Sequence, residues 1–233
     1  MTDDPCQSSS DATGVRRTLL GRWPLPDQPA LRDALLDAWA APERGYHDLT
    51  HLLEVLTRLG ELADEVGYAA PEVQLAAWFH DAVYDGDADP EGRSAEWARR
   101  ALAAARDHGK KGGLDGVMDG GVRRSVDVDE VVRLVLLTRD HSPAPEDLNG
   151  VALCDADLAV LASAPARYAA YAAGVRREYR HLDDTTFTAG RLDVLRTFLA
   201  REHLFTSAVA RARWEAAARR NAAREVAELE SRR

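Results

Sequence analysis

Three short segments of this chain set histidines and aspartates where an apolar pattern would otherwise continue. In Tyr46-His47-Asp48-Leu49-Thr50-His51, two histidines four residues apart share one face of an expected helix, so both imidazoles can address one small volume. In Trp78-Phe79-His80-Asp81, an apolar helix ends abruptly in an imidazole and a carboxylate. Burying an ionised carboxylate without a partner costs several kcal/mol, and a cation beside it removes that cost. In Leu153-Cys154-Asp155-Ala156-Asp157-Leu158, two aspartates at i, i+2 point in different directions. One of them is expected to reach a shared ion; the alternative for either residue by itself is to cap a neighbouring helix or pair with an arginine.

Helices must position these groups. Leu52, Val55, Leu56, Leu59, Leu62, Ala63 and Val66 form an i, i+3, i+4, i+7 stripe that predicts an amphipathic helix from about Tyr46 to Val66, closed by Gly67. Leu31, Leu35, Leu36 and Trp39 predict a shorter helix before Pro42, and Pro71 opens an apolar run that reaches His80. Further helices are expected over 94–106, 128–138, 148–162, 166–181 and, as one continuous element, from Thr188 to about Leu229. No alternating pattern marks a strand, so the fold class expected is all-α. Abundant alanine, the best helix former, and 6% aromatic residues support it.

A length of 233 residues suits one core. The expected organisation is a frayed N-terminal tail over 1–18, a helical domain over 19–213 and a C-terminal helical extension over 214–233, exposed or set against a second copy in a homo-oligomer. A flexible glycine-rich insertion is expected at about 107–126, where Lys110, Lys111, Arg123 and Arg124 would suit a cover over an anion and more commonly mark a solvated loop. The formal net charge of −9 opposes non-specific binding to nucleic acid, while leaving room for a small anion in a local pocket. Two cysteines, no basic-then-apolar leader and no apolar run near 18 residues lead to the expectation of a cytoplasmic protein without a membrane partner.

The order of the pieces resembles the HD-domain superfamily of metal-dependent phosphohydrolases, whose signature is a histidine, an adjacent His-Asp pair and a distant aspartate on a later helix. Here these are His51, His80-Asp81 and Asp157. The chain looks most like a bacterial branch of that superfamily in Arg44-Gly45-Tyr46-His47, Trp78 to Asp85, Glu91 with Ser94-Ala95, Asp155-Ala156-Asp157-Leu158 and an arginine-rich C-terminal helix. The likeness therefore runs over most of the chain from Leu31 onward. It implies an HD-like helical bundle with the ligands between core helices. It also selects Asp157 over Asp155 as the ligand, leaving Asp155 to orient His80 or His51. A further similarity, to cyclic-nucleotide phosphodiesterases, makes His51 the ligand and His47 the proton donor to the leaving oxygen; the helical reading agrees, since His47 lies one turn nearer the open end.

Two imidazoles and two carboxylates suit one divalent ion of manganese, iron, cobalt, nickel or zinc, with magnesium also admitted, better than calcium. In an octahedral shell two positions remain, for a water and a substrate oxygen. The expected function is hydrolysis of a small phosphorylated substrate, nucleotides included. His47 would serve as acid, Asp85 or Glu91 as base or water-orienting group, and Arg44 and Arg176 as phosphate clamps. The alternatives are a di-iron oxygenase of the same superfamily, with His141 near a second iron, and a nucleotide-binding regulatory module without turnover.

Overall fold

The computed structural model describes residues 5–86, 88–108, 117–119 and 122–231. In chain order the helices are α1 (Pro5–Leu20), α2 (Pro29–Trp39), α3 (Leu49–Val66), α4 (Ala70–Phe79), α5 (Pro90–His108), α6 (Val128–Leu137), α7 (Leu148–Leu158), α8 (Pro165–Glu178), α9 (Asp184–Ala200), α10 (Ala208–Ala210) and α11 (Ala216–Ser231). The described residues are all-α apart from a three-residue-per-strand antiparallel hairpin, Val117–Asp119 with Val122–Arg124, which lies in the glycine-rich insertion. Lys110 and Lys111 lie outside the described residues.

The helices form where the apolar stripes place them. On α3, Leu52, Val55, Leu56, Leu59, Leu62 and Val66 are all buried, and Gly67 ends the helix in the left-handed region at φ 71°. That face packs on α7, while α4 lies between α3, α6 and α7. Trp39, Trp78, Phe79 and Phe205 are the largest side chains sealed in the core, with leucines between them. No single described helix is long and apolar enough to cross a membrane.

Three expectations are corrected. The expected tail is helical from Pro5, and its end is anchored because Leu19 is fully buried and α1 packs on α3. The long helix expected from Thr188 is broken after Ala200. Glu215 accepts the amides of Leu204 and Phe205, and Asp155 accepts those of Thr206 and Ser207, so side chains replace helical partners there. A π-helical turn, Arg211–Glu215, then leads into α11. That last helix is an integral layer and not an exposed extension. Asn221 donates to the Leu161 and Ser163 carbonyls, and buried Glu225 accepts from Arg191 at 2.8 and 3.0 Å and from the Tyr168 hydroxyl at 2.6 Å.

Candidate metal centre

The site is assembled from helix ends. Asp48 caps α3 by accepting the amides of Thr50 and His51, which places His51 in the first turn with its imidazole inward. His47 therefore precedes the helix. The expected i, i+4 stacking on one helical face is replaced by a turn, although the two rings still lie 5.5 Å apart. His80 terminates α4, and its amide still bonds the Ala76 carbonyl. Asp81 follows in a turn, and Asp157 sits at the end of α7, brought to His51 by the packing of α3 on α7.

His51, His80 and Asp81 form a buried group whose ligand atoms lie within 4.8 Å of one another. His51 Nε2 is 3.2 Å from His80 Nε2, His80 Nε2 is 3.2 Å from Asp81 Oδ2, and His51 Nε2 is 3.8 Å from Asp81 Oδ2. Asp157 Oδ1 joins them at 3.1 Å from His51 Nε2 and 3.7 Å from His80 Nε2. Ligands about 2.1 Å from a shared ion are separated by roughly 3.0–3.4 Å along octahedral or tetrahedral edges; the separations of 3.1 and 3.2 Å lie in that range, and those of 3.7 and 3.8 Å are wider. The rings are oriented for it as well. His80 Nδ1 donates to the Ala77 carbonyl at 2.8 Å, which leaves Nε2 as the bare nitrogen of the neutral ring, and His51 Nδ1 meets the Tyr46 hydroxyl at 2.8 Å.

Charge points the same way. Burial disfavours ionisation of Asp81 and Asp157, yet His80 and the neighbouring imidazoles hold both carboxyls below their usual range. Burial likewise opposes charge on His80, and the two carboxylates raise its pKa well above 6.5 despite that. The pair of carboxylates thus demands positive charge at their meeting point, which a divalent cation supplies twice over.

His47 stands beside the group, with Nε2 3.8 Å from Asp81 Oδ2. Burial works against its charged form, and Asp81 together with Glu178 overcomes this to raise its pKa. Glu178 was not singled out by sequence. Its Oε1 accepts the amides of Gly45, Tyr46 and His47 at 2.8–2.9 Å, and its Oε2 accepts from His47 Nδ1 at 2.8 Å. The available signal was an anion in the last turn of a helix, where the macrodipole disfavours it. Gly45 and Gly174 permit this contact, because a Cβ on Gly45 would collide with the Gly174 carbonyl oxygen. Tyr84 stacks on His47 at 4.0 Å, also without a sequence signal.

Other expected site residues have different work. Arg44 is buried and donates to the carbonyls of His47, Asp81 and Ala82, so it binds the two ligand-bearing turns together and is not free to clamp phosphate. Arg176 closes the α8–α9 connection on the Tyr179 and Leu182 carbonyls and Asp184, again not as a clamp. Asp85 is turned to Arg93 at 2.7 Å and lines a neighbouring cleft, because α4 ends at Phe79 and no helix carries Asp85 one turn beyond Asp81. Glu91 lines the cleft that opens on the cluster, 3.7 Å from Arg139 Nε. Asp155 orients neither His80 nor His51, its oxygens being taken by Thr206 and Ser207. His141, held at φ 47°, donates from Nε2 to Asp157 Oδ2 at 2.8 Å.

No protein-family model, curated protein or solved structure matches the chain.

Proposed function

We propose that this chain is a metal-dependent phosphohydrolase of the HD-domain type, with His51, His80, Asp81 and Asp157 holding one divalent cation. The observation that carries the reading is the 3.1–3.8 Å spacing of their ligand atoms, with both imidazoles presenting Nε2. When bound, such a cation lowers the pKa of water from about 15.7 towards about 7 and polarises a phosphoryl oxygen.

The chain's own groups supply the rest. Glu178 accepts the His47 Nδ1 proton, so the Nε2 proton of charged His47 faces the cluster. As a water oxygen bonds to phosphorus, the ester P–O bond breaks and His47 gives the departing alkoxide its proton, releasing alcohol and inorganic phosphate. Glu91, the carboxylate that lines the same cavity without belonging to the proposed ligand set, would take a proton from the water.

The test is metal analysis with a phosphatase and phosphodiesterase panel in manganese, iron, cobalt and nickel. Asp81→Ala should lose bound metal and activity together, whereas His47→Ala should keep the metal and slow turnover about 10²–10⁴-fold. Full activity in the Asp81 variant refutes the scheme. Oxygen consumption with candidate substrates, without phosphate release, would favour the oxygenase alternative. Nucleotide binding by correctly metallated protein without product would favour the regulatory one.

A further inference from the structure

We infer that the cleft beyond the cluster takes the organic part of a phosphate monoester whose alcohol is uncharged and apolar, in place of a nucleoside polyphosphate. The inference rests on the hydrolase reading and adds its substrate class.

One continuous cavity of about 490 Å³ reaches from His47, Asp81 and Asp157 to an apolar wall on α8 and α9. On that wall Phe187, Val194 and Phe198 recur along one face of α9, opposite Val175 of α8. Val194 is 46% exposed, a large aliphatic side chain left facing the open space. Apolar surface that lines a cavity ending at a polar reaction centre is stabilised by an apolar group entering with the reacting one.

Gly190 adds an independent observation. A glycine inside a helix costs about 0.5–1 kcal/mol relative to alanine. At Gly190 no described atom beyond its chain neighbours and the adjacent backbone of its own helix stands within 4 Å of where a Cβ would be, and φ lies outside the positive range, so neither packing against another element nor backbone geometry calls for glycine there. What the missing side chain leaves is room on the cleft wall.

The guanidinium groups lining the described wall are already committed. Arg191 is bidentate to Glu225, and Arg139 is paired with Asp89 and Glu91. A second or third phosphate entering this cleft would meet guanidinium groups whose charge is balanced, together with further carboxylates. A single phosphoryl group at the cluster, followed by apolar surface, matches both the charge and the shape.

The experiment uses the full chain loaded with manganese and a series of n-alkylphosphonates from methyl to octyl, followed by titration calorimetry. Kd should fall about two- to fourfold per methylene until the cleft is full, and the longer members should bind more tightly than ADP. Gly190→Leu, which fills the cleft, and Val194→Lys, which charges its wall, should each flatten the series; two variants keep the test open if one misfolds. A flat series in the native protein, or tighter binding of ADP, overturns the inference. So does a dimer in sedimentation velocity that covers α9, dissociates in Val194→Lys and accompanies a flat series. Phenyl phosphate turnover in the same preparation separates the two levels. Turnover with a flat series removes only the substrate class, whereas bound manganese with neither turnover nor phosphonate binding removes the hydrolase reading as well.

Discussion

Replacing Glu178 by glutamine tests how the His47 imidazole is held. The amide oxygen can still accept from the backbone of Gly45, Tyr46 and His47, while an NH2 group replaces Oε2, so the substitution removes both the charge and the acceptor that face His47 Nδ1. Burial raises the cost of ionising Glu178, but His47 together with the Tyr46 and His47 amides outweighs it and lowers its pKa from 4.5 to about 2. At about 1.4 kcal/mol per pH unit, the ionised carboxylate contributes on the order of 3 kcal/mol to folding. Because the folded value is the lower one, this stability is complete above about 4.5 and is lost as pH falls towards about 2. Near about pH 3.5 roughly half of it should remain. Urea unfolding of both proteins at neutral pH and near about pH 3.5 gives the comparison. The expected gap is about 3 kcal/mol at neutral pH and about half that in acid. A neutral-pH gap below about 0.5 kcal/mol, or a gap that widens on acidification, refutes this account of Glu178.

Tyr46→Phe removes the hydroxyl that fixes His51 Nδ1 and should weaken metal affinity about 10–100-fold with little change in the far-ultraviolet spectrum, as measured by competition with a chromogenic chelator. An unchanged affinity would mean that packing alone orients the ring. Asp155→Ala should cost about 1–3 kcal/mol in urea unfolding by leaving the Thr206 and Ser207 amides without their acceptor, while metal content stays at the native level. Loss of metal without loss of stability would return Asp155 to the cluster.

The parts of this molecule legible in sequence are those set by local periodicity. The α3 stripe, the abrupt polar end of α4 and the carboxylates inside α7 each announce themselves within one helix, and together they contain all four proposed ligands. Long-range partners were not legible. Glu178 meets a turn more than a hundred residues earlier, and Arg44 spends its donors on carbonyls of two separate turns. The break after Ala200 has no proline or glycine to mark it, because distant Asp155 and Glu215 accept the amides that a helix would otherwise use. The helical N-terminal segment was hidden by its polar composition; its end meets the core through Leu19 and Val15. His47 was assigned to the right volume for the wrong local reason, as the Asp48 cap starts the helix after it.

The placement of the proposed ligands at helix ends explains why so many buried charged groups surround them. A helix interior fixes a side chain through its own backbone bonds, whereas a turn leaves amides and carbonyls that need other partners. Here Arg44 takes the carbonyls of both ligand-bearing turns, Glu178 takes the amides of one, and Ser94 accepts the Val83 amide of the other. Each substitutes a charged or polar side chain for regular secondary structure and holds His47, His51, His80 and Asp81 without occupying their inward-facing atoms. The alanines of α4 and α7 let the helices approach closely enough for those atoms to meet. Positioning and close packing are therefore separable: a substitution at Arg44 or Glu178 should disturb the turns, while one at Ala76 or Ala152 should move the helices apart and spread the whole cluster.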